Sequence, residues 1–207
     1  MTIVENEIPA VNGAVQSSGR RRMWTRDEYY KMAAAGIFGA DERVELIRGE
    51  VVTLAPIGPS HRRSSLRLYD ILHDMSAGSY YVLHESPITL TDGTEPQPDI
   101  AVARGSEDDY DDRHPYASEI VLVVEASDTT LAADRRDKAQ LYAAAGIPNY
   151  WIINLVQGQA EVYDLPVNGQ YSRTAFFLPT QKIDVPFLSG KSIGVSDILP
   201  RNFTVQR

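Results

Sequence analysis

Three side chains in this sequence of 207 residues carry charge where charge is costly, and together they could hold a divalent cation. Asp99 follows Pro98 and leads into the apolar Ile100-Ala101-Val102. Glu125 closes the stretch 119 to 125, Glu-Ile-Val-Leu-Val-Val-Glu, the most apolar short run of the chain. Carboxylates at the ends of core strands are destabilising unless a cation or hydrogen-bond donors offset their burial, and a bound metal ion would do so. Cysteine is absent from the chain, so disulfides and thiolate-bound zinc are excluded. What is left is carboxylates, histidines, carbonyls and water, a donor set suited to hard ions such as Mg2+ or Mn2+.

Lys138 is the third. On a regular helix from about Leu131 to Ala145, at 100° per residue, Leu131 lies at about +20° from the lysine, Asp134 at about −40°, Tyr142 at about +40° and Ala145 at about −20°. The ammonium therefore projects from the middle of the stripe that faces the core, and lysine is almost never fully buried without a partner. A helix packed back on the sheet after the Glu125 strand would deliver it beside Glu125 and Asp99. The competing reading is a lysine that snorkels past Tyr142 or pairs with Asp134 four residues earlier.

The elements that must position these groups are legible in outline. Residues 1 to about 22 lack periodicity and end in Gly19-Arg20-Arg21-Arg22, as a disordered tail does; residues 23–207 are expected to form one domain. Thr25 with Glu28 forms a capping box for a helix ending near Gly36. Val44–Ile47 and Val51–Leu54 read as a strand pair turning at Arg48-Gly49, and Ser60 as the cap of a helix reaching Met75. Strands are expected at 80–84, 87–90 and 98–102, the last opening at Pro98, with a turn at 91–94 and an acidic loop at 107–112. The run 119–125, rich in β-branched residues, predicts a central strand buried on both faces, with Glu125 and Ser127 on one face and Val124 and Ala126 on the other. Gly146-Ile147-Pro148 stops the third helix. Strands follow at Tyr150–Ile153, then Ala160–Leu165 and Tyr171–Phe177 joined across Asn168-Gly169, and the chain returns at 195–199.

Net charge is −8, which argues against a protein held to nucleic acid by bulk charge alone. A local basic patch can serve instead, drawn from Arg20, Arg21, Arg22, Arg62, Arg63, Arg67, Arg135 and Arg136; as ordinary surface charges these need no further role. No apolar run spans a bilayer and no secretory leader is evident, so a soluble cytoplasmic protein without a membrane partner is expected.

Pro98-Asp99, then Val123-Val124-Glu125-Ala126-Ser127, then Asp137-Lys138 with 141–151, Leu-Tyr-Ala-Ala-Ala-Gly-Ile-Pro-Asn-Tyr-Trp, resemble the Uma2 family of restriction-endonuclease-like proteins. Arg43-Val44-Glu45-Leu46-Ile47 with Gly49-Glu50, and the helix start Pro59-Ser60-His61, extend the likeness over roughly residues 24 to 165. The resemblance implies an α/β (α+β) PD-(D/E)XK nuclease core, a mixed central sheet flanked by helices. It implies Asp99 and Glu125 as ligands of Mg2+ or Mn2+, Lys138 as the lysine that orients or activates the attacking water, and Glu45 and His61 as further site residues. It also implies a DNA substrate; a homodimer is the expected assembly. The residue two after Glu125 is Ser127, not the lysine of the general nuclease pattern, so the lysine must come from the following helix. Glu45 could equally be a solvent-facing strand residue and His61 a structural one.

Two other matches lead nowhere. Gly190-Lys191-Ser192-Ile193-Gly194 fits a serine-hydrolase pattern, but His61, His73, His84 and His114 all precede the serine, against the order that pattern requires. As a phosphate loop the same segment has Val185 where glycine is required. The alternative to an enzyme is a nuclease-fold module without catalysis that binds nucleic acid or protein or acts as a homo-oligomer.

Overall fold

In a computed structural model, residues 20–200 are described. Most of the expected tail falls outside them; Arg20, Arg21 and Arg22 are exposed and without regular structure. Arg21 pairs with Glu50 at 3.1 Å, and the Arg22 guanidinium lies 4.4 Å from the centre of the Trp24 ring.

Helix α1 (Arg26–Ala34) starts on the expected capping box, the Thr25 side chain accepting from the Glu28 N–H and the Glu28 side chain from the Thr25 N–H. Strands β1 (Val44–Ile47) and β2 (Glu50–Thr53) form a hairpin. Its two turn residues, Arg48 and Gly49, both have positive φ, 52° and 78°, the conformation a tight two-residue hairpin turn requires. Helix α2 (Pro59–Ser76) is capped by Gly58 instead of Ser60, because Pro59, with its fixed φ and missing N–H, occupies the first helical position.

The main sheet has six strands in the order β3 (Tyr80–His84), β4 (Ile100–Arg104), β5 (Ile120–Ser127), β6 (Asn149–Asn154), β7 (Gln159–Val167) and β8 (Gln170–Phe177). All neighbours are antiparallel except β5 and β6, so the sheet is mixed. A parallel pair needs a crossover; here it is α3 (Leu131–Ala133), a π-helical turn Asp134–Lys138, and α4 (Ala139–Ala144). The expected single helix is thus interrupted by a wider turn. The expected strand at 87–90 does not form: Thr89 makes one bridge, to Tyr116, and prolines at 87, 96 and 115 remove donors a ladder would need. The short pair β9 (Lys182–Asp184) and β10 (Ser192–Gly194) precedes α5 (Val195–Ile198). It takes up the Gly190–Gly194 motif, which therefore lacks the strand-turn-helix elbow of a serine hydrolase.

Side-chain alternation splits the core in two. Leu122, Val124 and Ala126 point to the face covered by Leu68 and Leu72 of α2 and by Val195 and Ile198 of α5. Val123, Ile152 and Tyr150 point to the other, covered by Ala139 and Tyr142 of α4. All eight residues of β5 are buried, as a strand hydrophobic on both faces must be.

Candidate active site

Glu125 lies on the α4 face of β5, as alternation requires, next to Val123. Its Oε1 accepts a hydrogen bond from the Tyr142 hydroxyl at 2.8 Å and lies 3.8 Å from the Lys138 ammonium. Tyr142 is four residues beyond Lys138, so one helical stripe delivers both groups to one carboxylate. The Lys138 Nζ donates to Glu45 Oε2 at 2.8 Å, and its side chain retains 18% exposure. It neither snorkels to the surface nor takes Asp134 as its hydrogen-bond partner.

Asp99 sits one residue ahead of β4, which begins at Ile100, not at Pro98. The ladder gives way there because the carboxylate takes a backbone donor: Asp99 Oδ2 accepts from the Ala126 N–H at 2.7 Å. The Asp99 N–H points to Glu125 Oε2 at 3.4 Å, and Asp99 Oδ1 lies 2.8 Å from His61 Nε2. His61 is the third residue of α2 and buried. Glu45, on β1, is 3% exposed and also accepts from the Gln97 N–H at 3.1 Å; its side chain faces the site, not solvent. The five residues singled out in the sequence therefore meet in one place.

The electrostatics follow from crowding acids in a largely buried pocket. Burial pushes the Glu125 carboxyl well up, opposed by Lys138 and reinforced by Asp99. Burial pushes Asp134 up as well, although Ser127 and Thr130 each donate to its Oδ2 at 2.6 Å. Burial works against charge on Lys138, but Glu125 and Glu45 outweigh it and raise its pKa. Burial likewise opposes charge on His61, and the hydrogen bond and charge of Asp99, with Asp128 and Glu85, raise it. The site thus carries a protonated lysine among acids that exceed it in number.

His61, Asp99, Glu125 and Lys138 line one pocket with Arg43, Gln97, Asp128 and Asp134. Tyr142 and Asp134 share the lysine's stripe, where spacing alone points to core packing and to an ion partner, and Arg43 lies inside the family string, so the sequence by itself does not single out these three. Among the described residues, no three His, Asp or Glu side chains are grouped to hold a metal by themselves.

A mixed sheet with two acids meeting at the end of adjacent strands and a lysine brought in from the crossover helix defines a nuclease-like α/β fold. A solved structure described as a "putative nuclease belonging to DUF820" from Anabaena variabilis shares it, with a TM-score of 0.64 and 17% identity, covering 84% of this chain and 96% of that one. Comparison with curated proteins returns no match. The sequence profile of Uma2, described as "Putative restriction endonuclease", matches residues 26–196, and the chain belongs to that family.

Proposed function

We propose that this protein is a metal-dependent endonuclease that hydrolyses DNA phosphodiester bonds. The observation that carries the reading is Lys138: its ammonium reaches across from the crossover helix to lie 3.8 Å from Glu125 and 2.8 Å from Glu45, in the pocket that holds Asp99. Asp99 and Glu125 would hold Mg2+ or Mn2+. The donor set fits such an ion, because magnesium commonly takes one or two carboxylates and completes its shell with water and substrate phosphate, and because Glu125 is an acid whose burial lacks full compensation. When bound, the ion supplies positive charge that polarises the phosphoryl group and favours ionisation of a water.

The remaining work falls to the chain. Lys138 keeps its proton and offers donors at Nζ to the nucleophile or to a phosphate oxygen, stabilising negative charge as it develops. Glu45 fixes the direction of that ammonium. Tyr142 fixes one oxygen of Glu125, and the Ala126 N–H fixes one oxygen of Asp99. His61 holds a proton at Nε2 against the other oxygen of Asp99 and so orients that carboxylate.

Incubation with supercoiled plasmid tests this directly. Nicking is expected with Mg2+ or Mn2+, none with chelator, and a loss of about 10²- to 10³-fold in Lys138→Ala. Absence of metal-dependent nicking in the intact protein overturns the reading; nicking that survives Lys138→Ala removes only the lysine. A second reading, a homo-oligomeric module without catalysis, is favoured by the net charge of −8 and by Leu165, Val167, Phe176 and Leu178, exposed on β7, β8 and just beyond. It predicts a dimer by sedimentation, no cleavage, and no magnesium heat in calorimetry for Asp99→Asn to abolish.

A further inference from the structure

A phosphodiester entering the pocket meets Asp99, Glu125, Asp128 and Asp134 on its walls. Its attraction must come from side chains able to carry positive charge, and among the described residues lining the pocket these are Lys138, His61 and Arg43. Lys138 is engaged by Glu45 and Glu125, and His61 by Asp99. Arg43 is different. It stands immediately before β1, its carbonyl accepting from the Leu54 N–H at 2.8 Å, and its side chain is 33% exposed.

Three other arginines near carboxylates show what a committed guanidinium looks like here, and Arg26, also 3.8 Å from its carboxylate on Glu95, donates instead to the Thr89 hydroxyl at 3.0 Å. Arg113 grips Glu119 with two hydrogen bonds of 2.7 Å, Arg173 grips Asp164 with two of 2.6 Å, and Arg135 grips Glu161 at 3.0 and 2.6 Å. The ion contact of Arg43 is with Glu85 Oε2 at 3.8 Å, beyond hydrogen-bonding distance. Glu85 follows β3 with φ +45°, a conformation costly for a residue with a side chain. Its N–H holds the Asp99 carbonyl at 2.9 Å, and its Oε1 is buried without a hydrogen-bond partner. The backbone of Glu85 is thus fastened to the site, while its carboxylate holds Arg43 only loosely.

We propose that Arg43 is the residue that binds a backbone phosphate of the substrate at the mouth of this pocket, and that Glu85 holds its guanidinium there until the phosphate takes it. This rests on the endonuclease reading and adds the anchoring cation that the reading lacks. The planar guanidinium suits bidentate contact with a phosphate, which an ammonium cannot reproduce.

The test is fluorescence anisotropy of a labelled 20-base-pair DNA duplex, with Ca2+ in place of Mg2+, over a range of salt. Arg43→Ala is expected to weaken binding by about tenfold or more and to lower the slope of log affinity against log salt by about one. Arg43→Lys should recover the slope but not the full affinity. Glu85→Gln, which removes the competing carboxylate, should strengthen binding about two- to threefold, and it reports on the pair even where Arg43→Ala fails to fold. A structural ion pair would leave the salt slope unchanged. If the unsubstituted protein binds and cuts DNA while Arg43→Ala keeps its affinity and slope, or Glu85→Gln binds no better, Arg43 is not the anchor and the endonuclease reading stands. If the unsubstituted protein neither binds the duplex nor nicks plasmid, both fall together.

Discussion

Glu125 is a buried acid with two kinds of neighbour. The Lys138 ammonium at 3.8 Å and the Tyr142 hydroxyl at 2.8 Å favour its charge, while burial and Asp99 oppose it. The hydroxyl also fixes where Oε1 points, so Tyr142 positions an acid proposed to hold metal. Tyr142→Phe keeps the ring in the core cluster and removes only the donor. It is expected to lower stability by about 1–3 kcal/mol, the range for leaving a buried polar group without its partner, and to slow nicking. Urea unfolding and the plasmid assay check this; a variant equal to the unsubstituted protein in both would leave Tyr142 as packing alone. At this scale the sequence was highly legible. An acid at the end of an apolar run, or a lysine in an apolar stripe, is a conflict that can be seen without coordinates. The partner that resolves the conflict is not visible in the same way, and so Glu45, 93 residues from Lys138, is signalled only by the family resemblance.

The crossover shows where helical geometry departs from the regular wheel. At Asp134–Lys138 the Ala139 N–H bonds back to the Asp134 carbonyl, one residue farther than in an α-helix. The physical cause lies in tertiary contacts. Ser127 and Thr130 hold the Asp134 carboxylate, the Tyr150 hydroxyl reaches the Asp134 carbonyl at 3.3 Å, and Arg135 is tied to Glu161. The wider turn lets Asp134 and Lys138 both line the pocket, although the 100° wheel counted every residue as one regular step. Lys138 and Tyr142 escaped the error because α4 follows regularly after the turn. Deleting the exposed Arg136 should restore regular helix and rotate one end of the crossover against the other. The expected result is a folded protein by circular dichroism with nicking reduced about 100-fold, the size of effect that a misplacement of about 1 Å produces. Full activity after the deletion would show that the π turn positions nothing. Elements with strong local signals, such as the Thr25 capping box and the β-branched run of β5, read correctly from sequence. The three-residue strands β9 and β10 carry no periodicity and did not.

For the molecule as a whole, the site makes stability depend on pH and on metal in a way that separates it from the rest of the fold. Away from the pocket, Glu161 is fully buried on β7. Burial alone would raise its pKa, but Arg135, Asn154 and Tyr163 hold it below the usual carboxylate range, so it stabilises the fold above the unfolded value of about 4.3. That contribution is lost as pH falls through the lower folded value. Glu119, held down mainly by Arg113, acts in the same sense. Glu125 and Asp134 act in reverse, since their folded pKa values are raised. They favour the fold while protonated and burden it as pH rises from about 4 through those raised values. His61 adds to the alkaline burden, because its pKa is raised and its contribution, full below about 6.5, fades as pH climbs through the folded value. Metal-free protein is therefore expected to melt higher near pH 5 than at either pH 3 or pH 8. A divalent ion between Asp99 and Glu125 favours their ionised forms, so Mg2+ at about ten times its dissociation constant should add roughly 1.4 kcal/mol at pH 8, a rise of about 3–6 °C for a domain of this size. At pH 5, where the proton competes for Glu125, the rise should be smaller, and Asp99→Asn should abolish it at both. Scanning calorimetry at pH 3, 5 and 8, with chelator and with magnesium, measures all of this. A melting temperature at pH 8 that magnesium does not move would remove the metal from the site while leaving the acid limb, which depends on Glu161 and Glu119, untouched.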